Sequence, residues 1–315
     1  MSAEEKMNIT FWGVRGSRIH LPHGRMNEFS TFAPGTSCVE VQIGPQVAVF
    51  EAGLASYENF SASYYERLKA GTVRPEIKIY ASHGHTDHIY GLEQPPIMFD
   101  PSVIKTIRIA DWAGSAHEVV RNMRSEDVYN RAFNRPVSPD IAKFHKSTRV
   151  LELKPGRVFL PRWDGGNGTE DITIRTTPLK HGDILCAGFA VTHRDKATGK
   201  ERKVCLLTDM ENNMDGNGQL TPPKDLLGFI DGASVMVADG MFTQADFNER
   251  PFLATYGHAT GEYIGALGRE AGVGKTVVTH HNPVLTDTQL LDREAALQKR
   301  FPNLFFARTE MRLEI

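Results

Sequence analysis

The sequence predicts an α+β fold in which two β-sheets pack face to face with helices outside. Three observations carry that expectation. β-Prone runs fall into two blocks, each followed by helical segments, the pattern of layered sheets and helices. No internal repeat, low-complexity tract or long linker divides the chain, so residues 1–315 read as one domain. The 315 residues are 40% hydrophobic and 23% charged, ordinary globular usage at a length ample for a buried core.

In the first block, residues 9–13, 37–43 and 47–51 are short β-prone runs separated by Gly- and Pro-bearing turns. Residues 60–70 have helical spacing, and Glu76–Ala81 is a further strand. Residues 115–133 alternate apolar and charged positions at helical spacing, then run into a Pro-punctuated stretch. Residues from about 112 to 147 are therefore expected to form a partly helical insertion: a cover over the site, a homodimer contact or a structural cap. The second block places strands at 149–153, 172–178, 188–192, 204–208 and 234–238. Helices follow at 260–271, with Thr260 as N-cap, and at 287–300, with the strand Lys275–Thr279 between them.

Composition excludes several classes of function. With 36 Lys+Arg against 38 Asp+Glu, the net charge of −2 lacks the basic excess of a protein that grips long nucleic acid. No run approaches eighteen apolar residues, so no membrane span is expected. The acidic N-terminus lacks the apolar core of a signal peptide. Cys38, Cys186 and Cys205 are far apart and show no CxxC spacing. They supply neither a disulfide framework nor a thiolate zinc site, and a cytoplasmic location is expected. Twelve histidines are the unusual count, and their placement is the informative question.

The densest cluster is Ser82-His83-Gly84-His85-Thr86-Asp87-His88, directly after a strand. Alternation at a strand end sends His83 and His85 to one side, and a turn into a helix brings Asp87 and His88 to a neighbouring point. That spacing suits two adjacent metals, His83 and His85 on one, Asp87 and His88 on the other, unlike the single-zinc HExxH helix. Imidazole with carboxylate favours zinc and tolerates manganese or iron. Further candidates stand at strand ends: His181, Asp209 as a bridging carboxylate, and His280, which is followed by His281. His258 precedes a helix, and Asp239 and Glu211 are weaker candidates. Gly272-Val273-Gly274-Lys275-Thr276 imitates the end of a phosphate loop, but it runs from helix to strand, the wrong order.

The order of HGHTDH, His181, Asp209 and His280, with Gly13-Val14-Arg15-Gly16-Ser17 near the start and Gly257-His258-Ala259-Thr260 later, resembles the metallo-β-lactamase superfamily. Within it, the chain is similar to the ribonuclease Z and phosphodiesterase-like branch. The resemblance implies a four-layer αββα sandwich with two divalent metal ions, zinc first, at one edge of the sheets. It implies His83, His85 and His181 on one metal, Asp87, His88 and His280 on the other, and Asp209 bridging. His258 matches an extra histidine that acts in that branch as acid or transition-state stabiliser. His281 is expected to lie outside the ligand set or to face solvent. Glu51-Ala52-Gly53, Asp239-Gly240 and Asn282 depart from the usual pattern, and they are expected not to touch a metal ligand.

The expected activity is hydrolysis of a small phosphodiester, such as a cyclic nucleotide, by a hydroxide shared between the metals, with Asp87, Asp209 and His258 as the catalytic set. Transfer-RNA processing members of this branch carry a long basic arm between the positions of His181 and Asp209. Here that interval holds only strands and a short basic hairpin, so a long nucleic acid is the lesser choice. The alternatives are an RNA-end nuclease, a lactonase or other ester hydrolase on the same metals, and a non-catalytic metal-binding sensor.

Overall fold

The structure is a computed structural model that describes residues 6–19, 31–92, 96–110, 147–153, 156, 158–159, 172–214 and 220–315. The expected insertion at about 112–147 lies, but for its last residue, outside the described residues.

The first sheet joins β1 (Met7–Gly13), β2 (Cys38–Ile43), β3 (Gln46–Phe50), β4 (Glu76–Ala81), β5 (Ile104–Ala110) and β6 (Thr148–Leu153) in that order, with the C-terminal β14 (Arg312–Glu314) added beside β1. The second runs from β13 (Leu304–Phe306) through β12 (Lys275–Thr279), β11 (Val235–Asp239), β10 (Glu201–Leu207), β9 (Ile184–Arg194) and β8 (Ile172–His181) to β7 (Val158–Phe159). Alternation along the strands splits each sheet into two buried faces. Val47 and Val49 of β3, with Ile77 and Ile79 of β4, pack with Tyr57, Phe60 and Tyr64 of helix α1 (Ser56–Lys69). Ala48, Phe50 and Tyr80 point the other way, into the core shared with Ile174, Phe189 and Val191 of the second sheet. The rings of Phe50, Tyr80 and Phe189 meet across that interface, with centroids 5.1–5.9 Å apart. The outer face of the second sheet is covered by α6 (Gly261–Glu270) and α7 (Asp287–Gln298), through residues such as Ile264, Leu267 and Leu297. The result is the four-layer αββα sandwich.

Short elements complete the described part: α2 (Thr86–Ile89), α3 (Pro96–Phe99), α4 (Lys224–Ile230), α5 (Gln244–Glu249) and the 3-10 turns Tyr90–Leu92 and Pro251–Tyr256. Thr260 caps α6 as expected, its hydroxyl accepting from Tyr263 N. Several boundaries differ from the sequence expectation, among them those of β9 and β10, and two have a cause in their residues. Helix α1 begins at Ser56 rather than residue 60, because buried Tyr57 extends its apolar stripe by one turn. Strand β8 passes through Pro178 to His181 instead of stopping at the proline. Among the described residues β7 reaches only Ile174 and Arg175 of β8, and an edge is where a strand tolerates the missing N–H of a proline. Among the described residues, no helix is long and apolar enough to cross a membrane.

What matters for function is where strands end. β10, β11 and β12 are parallel, with Leu207 beside Ala238 and Asp239 beside Thr279. Asp209, Asp239 and His280 therefore emerge side by side at the carboxyl ends of these strands. In the first sheet β3 and β4 are parallel in the same way, Phe50 beside Tyr80, so Glu51 and His83 emerge together. A bond from Ala187 N to Ser82 O, 2.9 Å, ties the two rims where they face each other. Carboxyl ends of parallel strands are the usual location of sites in such sheets.

Candidate metal centre

His83, His85, Asp87 and His88 leave β4 on one short loop. His85 is the N-cap of α2, which turns Asp87 and His88 back under the loop. Asp87 is held by its surroundings: Ser17 N donates to Oδ2 at 2.7 Å and Thr36 Oγ1 to its carbonyl at 2.8 Å. From the second sheet come His181 at the end of β8, Asp209 just past β10 and His280 just past β12. The seven expected metal ligands converge. One group contains His83, His85, His181 and Asp209; a second contains Asp87, His88, Asp209 and His280; in each, one donor atom per residue lies within 4.8 Å of all the others. Asp209 belongs to both.

The nearest nitrogen–oxygen separations range from 3.0 Å (His280 Nε2 to Asp209 Oδ1) to 3.6 Å (His83 Nε2 to Asp209 Oδ2). His88 Nε2 stands 3.2 Å from Asp209 Oδ2 and 3.3 Å from Asp87 Oδ2. Yet His83 Nε2, His88 Nε2 and Asp209 Oδ1 are buried with no hydrogen-bond partner among the described residues, because they face a common point rather than each other's lone pairs. Ligands about 2.0–2.1 Å from a tetrahedral zinc lie about 3.3 Å from one another, so the donor set and its spacing fit a divalent metal. Unpaired polar atoms concentrated in this way are costly unless an ion meets them.

The remaining ring nitrogens are fixed from behind. His181 Nδ1 donates to Gly257 O at 2.7 Å, which leaves its Nε2 to face the site, 3.3 Å from His85 Nδ1. Ser82 Oγ lies 2.8 Å from His83 Nδ1. Such partners set tautomer and ring orientation. The electrostatics divide the centre. Burial, and then the charge of His88, push His83 well below its usual pKa, and burial with His181 lowers His85. Burial alone would raise the carboxyls, but His280 and His88 hold Asp209 well below the carboxylate range, and His88 does the same for Asp87. The same attraction overcomes the burial of His280, whose pKa is pushed up to about 10, and carries His88 well above its ordinary value.

His258 sits beside these groups. Its ring is 4.9 Å from that of His181 and 4.8 Å from that of His280, and Nδ1 donates to Asp239 Oδ2 at 2.7 Å. Asp239 also accepts from Met241 N and Met210 N, so its carboxylate is fixed by backbone. A cavity of about 480 Å³ opens onto His85, Asp87, His181, Asp209, His258 and Tyr256.

Two expectations need correction. Glu51 does touch an expected ligand: its Oε2 is 3.1 Å from His88 Nδ1, and it also accepts from Thr208 Oγ1 and Ser82 N. Asp239 likewise lies 3.9 Å from His280 Nδ1. The longer Glu51 side chain reaches the ring because both follow neighbouring parallel strands. His281 takes the first of its two expected places, outside the ligand groups: it is 1% exposed, its Nε2 donates to Ala307 O at 2.9 Å, and it packs between Phe32 and Phe306. Glu211 stands off the cluster, paired with Lys180 at 2.7 Å and with Gly182 N.

The comparisons agree with this architecture. The metallo-β-lactamase fold protein YhfI from Bacillus subtilis superposes with a TM-score of 0.63 at 16% identity, covering 99% of this chain and all of that one. The chain has the metallo-β-lactamase fold. A diphosphatase from the PhnP family (TM-score 0.60, 14% identity, 98% and 97% covered) and human tRNase Z, short form (0.56, 16%, 97% and 98%) share this metallo-β-lactamase fold. A curated relative, the ribonuclease Z of Thermoplasma acidophilum, is 26% identical over 98 residues, 31% of this chain and 30% of that protein. The chain thus matches under a third of that relative's length. No family model matches the chain.

Two further features of the centre were not visible in the sequence. Asp209, His280, Glu51 and Ser17 all have positive φ (43°, 57°, 64° and 58°), a left-handed conformation that is costly for residues other than glycine. Gly16 lies so close to His280 that a Cβ would stand 2.3 Å from its Nδ1, so only glycine lets the Arg15–Ser17 turn lie against that ring.

Proposed function

We propose that the chain is a metal-dependent hydrolase of small phosphodiesters. The observation that carries this reading is the pair of buried His/Asp groups sharing Asp209, with His258 held by Asp239 at the edge of the same cavity. In this reading His83, His85, His181 and Asp209 hold one divalent metal ion, and Asp87, His88, His280 and Asp209 a second, zinc being the ion the donors favour and manganese or iron tolerated. Bound there, the ions supply Lewis-acid polarisation of the phosphoryl oxygens and acidify water.

The protein's own groups do the rest. Asp209 spans both positions and balances charge between them. Asp87, oriented by Ser17 N, keeps its second-site oxygen in place. His258, with Nδ1 committed to Asp239, presents Nε2 as the group that stabilises the phosphoryl oxygens or protonates the leaving alkoxide, help typically worth about 10²–10⁴-fold. That role requires the imidazolium form, in which one N–H holds Asp239 and the proton on Nε2 faces the cavity; with Nδ1–H alone, Nε2 would be bare.

Protein stripped of metal is expected to lose activity on bis(p-nitrophenyl) phosphate and to regain it with Zn²⁺ or Mn²⁺. Equal activity in the stripped and reloaded protein would sink the proposal. RNA-end processing is the second reading, favoured by the match to a ribonuclease Z. Against it, the interval between His181 and Asp209 is filled by β9, a tight turn and β10, with no room for a long arm. Relative rates on a cyclic nucleotide and a precursor transfer RNA separate the two.

A further inference from the structure

We propose that Tyr256, backed by Phe252, is a stacking platform that makes the site selective for phosphodiesters carrying a planar aromatic substituent, with a nucleobase as the chemistry that fits; this rests on the phosphodiesterase reading above. Phe252 and Tyr256 are the two most exposed large hydrophobic side chains among the described residues, at 56% and 55%. They are not scattered. Both belong to the Pro251–Tyr256 turn, and their rings meet edge to face with centroids 6.0 Å apart. Tyr256 lines the same cavity as His85, Asp87, His181, Asp209 and His258. An exposed aromatic pair at the mouth of a polar cavity leaves a flat apolar face in water until a ligand covers it.

The platform is fixed relative to the reacting centre. Gly257, directly after Tyr256, has φ of 78°, and its missing Cβ would stand 2.2 Å from Gly182 N and 2.7 Å from His181 C. The carbonyl of Gly257 also holds His181 Nδ1 at 2.7 Å. The backbone that carries Tyr256 is therefore locked to the turn that carries His181, while the next residue, His258, turns back to Asp239. A phosphoryl group at the centre and a ring on Tyr256 are then held by one rigid segment.

The space beside it suits the same class of ligand. A second cavity of about 490 Å³ shares His258 and continues past Thr255 to Asn212, Asn213, Asp183 and Phe247. Amide and carboxylate edges next to an aromatic ring match a group that is flat on its faces and hydrogen-bonding at its rim, as a nucleobase is. An alkyl diester would use neither feature, and a sugar diester would use the hydrogen-bonding rim without the flat π-face.

The experiment compares zinc-loaded enzyme on 3′,5′-cyclic AMP and on the cyclic phosphate of 1-deoxyribose, which has the same reacting ring and no base, reading monoester by phosphorus NMR. Wild type is expected to prefer the base-bearing diester by at least tenfold in kcat/KM, the order of one base–aromatic stack. Tyr256→Ala is expected to collapse that ratio to within about twofold, mainly through KM, and Tyr256→Phe to restore it. The absence of a preference in wild type, or an equal loss on both diesters in Tyr256→Ala, overturns the platform. If wild type hydrolyses neither diester, the phosphodiesterase reading fails, and calorimetry with AMP and ribose 5-phosphate still decides the platform. A tenfold AMP preference lost in Tyr256→Ala supports it, and equal affinities of wild type for the two refute it. Unchanged circular dichroism and melting temperature show that the variants are folded.

Discussion

The two sheets bring their halves of the centre together by opposite means. The first supplies His83, His85, Asp87 and His88 from one contiguous loop after β4, so four side chains are positioned by a single strand end and one short helix. The second supplies His181, Asp209 and His280 from three strand ends, and their adjacency exists only because β8 through β12 are in register. The first half is a local motif; the second is a product of the whole fold. The difference teaches that damage to distant packing should spare the loop and scatter its partners.

The residue common to both halves gives the largest effect. Asp209→Ala is expected to lower turnover at least 10³-fold and to reduce the bound metal from both groups, read by elemental analysis and steady-state rates. Full retention of metal would mean that the two halves bind independently. His258→Ala comes next: turnover should fall about 10²–10⁴-fold while the metal content stays at the wild-type level. Loss of metal instead would move His258 into the ligand set.

Arg15 tests the dependence on packing. It is 1% exposed and bridges the two halves, donating to Phe32 O, Asn282 O, Leu285 O and Asp287 Oδ1. Burial lowers its pKa to about 10 despite Asp287, so at neutral pH the guanidinium remains charged. Arg15→Met strands a buried carboxylate and several carbonyls, and it should cost about 3–5 kcal/mol in urea unfolding. Under mild urea, the variant should lose the second-sheet side of the centre first, read as His280 exchange ahead of His83 by NMR. Simultaneous loss would erase the contrast between local and assembled halves.

The smallest effect is confined to the first sheet, away from the loop. Lys105 is buried, donating to Ile97 O and Asp100 O, and burial lowers its pKa to about 8 against Asp100. The folded state then loses this proton near pH 8, while the unfolded state keeps it to about 10.5. Stability should therefore rise between those values, by at most about 1.4 kcal/mol per pH unit. Relative to Lys105→Met, wild type should gain stability from pH 7.5 to pH 10 with no change in metal content; a gain of the opposite sign refutes the assignment.

Legibility followed the same division. HGHTDH could be read as a metal loop from spacing alone, because alternation and a helix turn are local rules. His181, Asp209 and His280 were individually ordinary strand-end residues, and only the resemblance grouped them. Glu51 reads in the sequence as a departure from the usual pattern, but its reach to His88 depends on the β3–β4 register. The fold class and most strands of both blocks were visible as β-prone runs. β5, β7, β13 and β14 are not visible there, the last three being only two or three residues each and so too short to show a period. The positive φ of Asp209 and His280 leaves no compositional trace.

Those left-handed backbones set two selections against each other. A search among variants for resistance to heat should favour glycine at residues 209 and 280, relieving conformational strain and deleting buried polar atoms together. A search for turnover should reject both. Residues whose ranking inverts between the two searches would trace the outline of the centre without any metal being measured.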